Sequence, residues 1–301
     1  MKPNQHLGFI LALCLLYTLF VGCQQNQQQD TRYDVCTEDE AKFAVTETTS
    51  IPVEEINSYV ATESTSSPTV PVTEDMTVYT FRWISSNPND IYDATGFVSV
   101  SDVIPDVILD MRYYSTNNFV GERINGYEEP IALLSEETAY ALKNAADELR
   151  SQGYKIKIYD AYRPQRAVEH FASWASDWND TKMKDKFYPS IDKSLLFDYG
   201  YIAYNSGHSR GSKIDMTLVD SNTNQELDMG GTFDYFDVVS HPDYTGITSE
   251  QYNNRMILQQ AMVSNGFYTC STEWWDFTLS NEPYPYTYFD FPVSRSSLTY
   301  E

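Results

Sequence analysis

The sequence predicts a single α+β domain, and three observations predict it. Apolar residues recur at helical spacing in two stretches and a third stretch reads as a helix ended by glycine, two short stretches alternate as strands do, and all come in mixed order with short connections.

Each element has its own justification. Ser135 opens the first helix, with Glu136 and Glu137 in a first turn where acidic groups suit the helix dipole. Ala139, Leu142, Ala146 and Leu149 follow at helical spacing, and Gly153 stops the run. Residues 155–159 alternate as a strand, and Pro164 is placed to open a second helix through Val168, Phe171 and Trp174. Residues 213–219 alternate again, with Ile214, Met216 and Leu218 on one face and Asp215 and Thr217 on the other. A third helix is expected over about 249–265, ended by Gly266.

These elements fall in residues 76–293, the expected domain, with residues 294–301 left as a tail. Upstream, residues 23–75 are poor in large apolar side chains and rich in Gln, Thr, Ser, Glu and Pro. Such a segment buries too little apolar surface to offset its ordering entropy, so it reads as a flexible tether. Residues 1–22 contain Lys2 followed by an apolar run over 7–21, too short for a convincing spanning helix, and read as a signal peptide. The run ends Phe20-Val21-Gly22-Cys23, which resembles a bacterial lipoprotein cleavage site. That resemblance implies a lipid on Cys23 and an extracytoplasmic chain held at the cell membrane; an ordinary secretory signal and an uncleaved anchor are the alternatives.

The formal net charge of −23 argues against nucleic acid and anionic lipid as partners, because both require clustered Lys and Arg. Beyond Cys14 and Cys23 the chain has only Cys36 and Cys270, which could pair in an oxidising compartment, and no CxxC motif that would suggest a cysteine zinc site.

Three clusters carry candidate chemistry. Ser206-Gly207-His208-Ser209-Arg210-Gly211-Ser212-Lys213-Ile214-Asp215 brings a His and an Asp together if a loop feeds a strand, and both are ordinary zinc ligands. Alone, this spacing fits a loop histidine and a solvated aspartate better. Glu273-Trp274-Trp275-Asp276-Phe277 sets two acids around a tryptophan pair; a strict strand puts them on opposite faces, so they share a site only if the backbone bulges. Tyr159-Asp160-Ala161-Tyr162-Arg163-Pro164 places Arg163 between a strand and a helix, where a surface ion pair is the plain alternative.

Together these clusters resemble the VanX-type D-alanyl-D-alanine dipeptidases, whose signature is Ser-x-His-x6-Asp, then Glu-x-x-His, with Arg-Pro upstream. Further similar stretches are Leu109-Asp110-Met111-Arg112-Tyr113, Asn118-Phe119-Val120-Gly121 and Met229-Gly230-Gly231-Thr232-Phe233-Asp234, so the resemblance runs from about 100 to 292. It implies a central antiparallel sheet with flanking helices, the Hedgehog/DD-peptidase-like zinc peptidase fold. It also implies one zinc ion held by His208, Asp215 and the residue at 276, with Glu273 as general base and acid and Arg163 stabilising the oxyanion. Ser206 and Asp234 would grip the free ammonium group of a small dipeptide, and Tyr113 would line the same pocket.

One departure stands out: the family's third metal ligand is a His, and this chain has Asp276. A carboxylate can ligate zinc, but a His-Asp-Asp set carries one more negative charge and leans towards harder ions such as Mn²⁺. Two rivals to a dipeptidase therefore remain: a zinc carboxypeptidase trimming wall peptides, and a wall-peptide-binding lipoprotein with an impaired site. An extracytoplasmic enzyme could not remove a cytoplasmic precursor dipeptide, which leans towards salvage of wall fragments over antibiotic resistance. The oligomeric state is open.

Overall fold

The computed structural model describes residues 90–298. The expected signal peptide, Cys23, the tether, Cys36 and the first residues of the expected domain lie outside that range. No helix among the described residues is long and apolar enough to cross a membrane.

In chain order the elements are β1 (Phe97–Ser99), α1 (Val100–Val103), β2 (Ile108–Leu109), β3 (Leu133–Ser135), α2 (Glu136–Ser151), β4 (Tyr154–Asp160), α3 (Gln165–Ser176), α4 (Lys184–Phe187), β5 (Lys213–Asp220), α5 (Ser249–Ser264), β6 (Phe267–Thr269) and β7 (Asp276–Leu279). Strands β2-β4-β5-β7-β6 form a five-stranded sheet in that order, while β1 and β3 pair separately. The large sheet is antiparallel except at its edge, where β2 runs parallel to β4.

The helices form where the apolar spacing put them. Ala139, Leu142, Ala146 and Leu149 of α2 are all buried, and Gly153 ends the helix at φ +90°, a conformation open to glycine at little cost. Pro164 stands at the N-cap of α3, one residue before the first helical position, and Val168, Phe171 and Trp174 face the core. Thr248 and Gln251 close a capping box at the start of α5. Helices α2 and α5 pack on each other and against β4 and β5.

On β5 the alternation sends Ile214, Met216 and Leu218 to one face and Asp215 and Thr217 to the other, yet all five are buried. Both faces of the sheet are therefore covered, and Asp215 lies in an interior rather than in solvent. Residues 294–298, the first part of the expected tail, pack on the domain: Arg295 makes a bidentate ion pair with Asp102 at 2.8 Å, and Leu298 is buried.

Candidate active site

The loop entering β5 is fixed before any ligand is considered. Ser206 caps a 3-10 turn over Gly207–Arg210, its Oγ accepting from the His208 backbone N–H at 3.3 Å. Gly211 ends the turn at φ +75°, and a Cβ there would lie 2.2 Å from the Phe97 ring, so only glycine fits. The turn buries His208 against β4, where its Nδ1–H donates to the Ala161 carbonyl at 2.8 Å. That bond fixes the tautomer and leaves the Nε2 lone pair facing the cavity, 3.5 Å from Asp215 Oδ2.

Asp215 and Asp276 are direct register partners across β5 and β7, so their side chains leave the sheet on one face. Glu273 reaches the same region by a turn and not by the expected bulge. The Asp276 N–H donates to the Glu273 carbonyl at 3.3 Å, β7 starts only at Asp276, and the Trp274 N–H is tied to the Ser240 carbonyl at 2.9 Å. A strict strand would have separated the two acids; the turn brings both to the wall of one cavity.

Arg163 follows the irregular end of β4, where the pairing with β5 shifts between Ile158 and Asp160. Its Nε and Nη2 both lie 2.9 Å from Asp160 Oδ2, Nη2 is 3.7 Å from Asp215 Oδ2, and its guanidinium sits 5.0 Å from the centroid of the Tyr113 ring. Across the cavity, the Tyr113 hydroxyl is 3.1 Å from both carboxylate oxygens of Asp234. Asp234 adopts φ +60°, an uncommon conformation for a residue with a side chain, which turns it inward from its loop. The cavity so formed has a volume of about 540 Å³ and is lined by all eight residues singled out for the site: Tyr113, Arg163, Ser206, His208, Asp215, Asp234, Glu273 and Asp276.

Its electrostatics are those of an acid cluster. Burial, then the neighbouring carboxylates, push Asp215, Asp234 and Glu273 well above the usual carboxylate range. Burial and then the Arg163 guanidinium hold His208 down at about 3, so its imidazole is neutral, as ligation requires. Such a concentration of buried acid calls for cations. The chain supplies Arg163 and Lys213; burial works against the Lys213 charge, but Asp276, ahead of Glu273 and Asp215, more than offsets it.

The donor set fits a divalent cation. His208 presents a lone pair, and Asp215 Oδ1 is buried with no hydrogen-bond partner among the described residues. Two other groups with close donor atoms are Asp160–His208–Asp215 and Cys270–Glu273–Asp276. Asp160 is committed elsewhere, accepting from Arg163 and, on Oδ1, from the Tyr127 hydroxyl at 2.6 Å. Cys270 is disulfide-bonded and so has no thiolate to offer.

Sequence reasoning missed four contributors. Asp160 and Tyr127 orient Arg163. Lys213 pairs with Asp276, its Nζ 2.8 Å from Oδ2; its position two residues before Asp215 on an alternating strand was the available signal. Arg255, buried in α5, donates to the carbonyls of Met229, His241 and Val239 and so pins the loop that carries Asp234; nothing local in the sequence marks it.

Known proteins share this arrangement of sequence. D-alanyl-D-alanine dipeptidases from Enterococcus faecium and Enterococcus faecalis are each 39% identical to this chain, over 66% of it and 98% of their own length. The Streptomyces coelicolor D-alanyl-D-alanine dipeptidase is 36% identical over the same shares. Residues 93–294 match the peptidase M15 family described as D-ala-D-ala dipeptidase, and the chain belongs to that family.

Proposed function

We propose that this chain hydrolyses free D-Ala-D-Ala, or a closely related wall dipeptide, to free amino acids with one bound zinc ion. The observation that carries the reading is the shared cavity: Glu273 and Arg163 flank His208 and Asp215, and the Tyr113–Asp234 pair lines the same cavity. His208, Asp215 and Asp276 would hold the metal. Bound there, zinc supplies Lewis acidity and makes water a competent nucleophile near neutral pH.

The chain's own residues supply the rest. Glu273 accepts the proton of the attacking water and delivers it to the departing amine, a role suited to a carboxyl whose proton affinity burial has raised. Arg163, charged and held by Asp160, faces the negative charge that develops on the carbonyl oxygen. Asp234, with Ser206, takes the substrate's ammonium group, which selects a free dipeptide over a chain blocked at its amino end.

Alanine release from D-Ala-D-Ala by the purified chain tests this. Turnover should stop with chelator and fall by about 10²–10⁴-fold in Glu273→Gln, the range for loss of a general base. Equal turnover of N-acylated D-Ala-D-Ala would point instead to a carboxypeptidase. A second reading, a wall-peptide-binding protein with an impaired site, is favoured by the ion pair that engages Asp276. Binding of the dipeptide without turnover, unchanged by added metal, would establish it. The apolar run ending at Cys23 supports a lipid anchor and an extracytoplasmic role in wall salvage, tested by loss of lipid labelling in Cys23→Ser.

A further inference from the structure

Lys213 and Asp215 lie two residues apart on β5, so both project from the same face, towards Asp276 on β7. The Lys213 side chain is only 14% exposed, and its ammonium stands 2.8 Å from Asp276 Oδ2. A lysine here is in contact with one candidate ligand and beside another. Resting on the reading of His208, Asp215 and Asp276 as metal ligands, we propose that Lys213 sets the metal affinity of this site by acting as the resident counter-ion of Asp276.

Two physical effects follow, and they have the same sign. The ammonium competes with a metal for the lone pairs of one ligand oxygen, and it is the Asp276 carboxylate that holds it there. Lysine and aspartate together are also neutral as a pair, as a histidine imidazole is. The extra negative charge of a His-Asp-Asp set is thus cancelled within the site, and the advantage that a second carboxylate would give a cation is withheld. Lys213 and Asp276 form one unit, and neither substitution has its full effect without the other.

The test is the zinc dissociation constant of the purified full chain, measured by competition with a chromophoric chelator. The proteins are wild type, Lys213→Met, Asp276→Asn and the double variant. Lys213→Met should bind zinc about 10–100-fold more tightly, the inverse of the loss usual when a supporting partner of a metal ligand is removed. In the Asp276→Asn background the same change should shift affinity by no more than about threefold, as expected when two residues act through one contact. Unchanged or weaker binding by Lys213→Met overturns the proposal. An equal gain in both backgrounds also overturns it, because the lysine would then act as a general charge and not through Asp276.

If Lys213→Met folds only with zinc present, Lys213→Gln, which keeps a polar end for Asp276 but no charge, is measured in its place and should show the same gain. Failure to fold even with zinc overturns the proposal, since the metal should replace the lost charge. No zinc binding by any folded variant would instead remove the metal reading itself.

Discussion

Asp160 and Arg163 are three residues apart, and both Nε and Nη2 of the arginine converge on one aspartate oxygen at 2.9 Å. The other oxygen of Asp160 accepts the Tyr127 hydroxyl at 2.6 Å, so the carboxylate is itself held from behind. Arg163 is thus aimed by an anchored partner and not merely placed near the cavity. Asp160→Asn keeps the shape but loses the charge that orients the guanidinium. The kcat for D-Ala-D-Ala should fall by about 10²-fold, the scale of a small misplacement at a reacting centre, with KM changed much less. Steady-state kinetics check this, and an undiminished kcat would show that Arg163 needs no such anchor.

Tyr113 and Asp234 predict the opposite kinetic signature. Asp234→Asn removes the charge that faces the substrate's ammonium group, so KM should rise about 10–100-fold, as for loss of a charge-assisted hydrogen bond. Tyr113→Phe should move KM in the same direction by less. Comparing free with N-acylated D-Ala-D-Ala is the control: the acylated form, lacking the ammonium group, should be indifferent to both changes.

Arg255 predicts a stability effect at a distance from the cavity. Its three hydrogen bonds, at 2.7, 2.9 and 2.9 Å, satisfy backbone carbonyls of the loop between β5 and α5. Arg255→Met leaves those acceptors without their donor, and stability should drop by about 3 kcal/mol or more. Chemical denaturation measures it. A loss under about 1 kcal/mol would mean that water replaces the guanidinium, against its near-complete burial.

The depressed pKa of His208 predicts a pH dependence with a definite sign. In the folded chain it titrates at about 3, below its ordinary value of 6.5, so between those values the unfolded chain binds the extra proton. The stability from this neutral, buried imidazole is therefore complete above about pH 6.5 and is lost as pH falls, at up to about 1.4 kcal/mol per pH unit. His208→Asn has no such proton to bind. In metal-free protein the stability gap between wild type and variant should narrow from pH 6.5 to pH 4.5. A gap that stays constant would mean that His208 is protonated in the folded state.

The local parts of this molecule were written in local sequence. Ala139, Leu142, Ala146 and Leu149 declare a helix because helical spacing aligns them. The alternation from Lys213 onwards declares a strand and already separates Asp215 from Ile214 and Met216. The family resemblance, carried by the order of short motifs, brought Arg163, His208, Asp215, Asp234, Glu273 and Asp276 together as expectations, and the fold places all six around one cavity. The bulge expected at Glu273 was wrong in kind, because whether a strand bends or a turn precedes it depends on the Ser240 carbonyl that holds Trp274. Only the tertiary structure decided that Lys213 meets Asp276, that Tyr127 holds Asp160, and that Arg255 pins the loop bearing Asp234. Periodicity sets which face a side chain leaves from, since backbone geometry fixes that over a few residues. Which buried charge it then meets depends on elements dozens of residues away, and that is settled by the packing that excludes water from all of them at once.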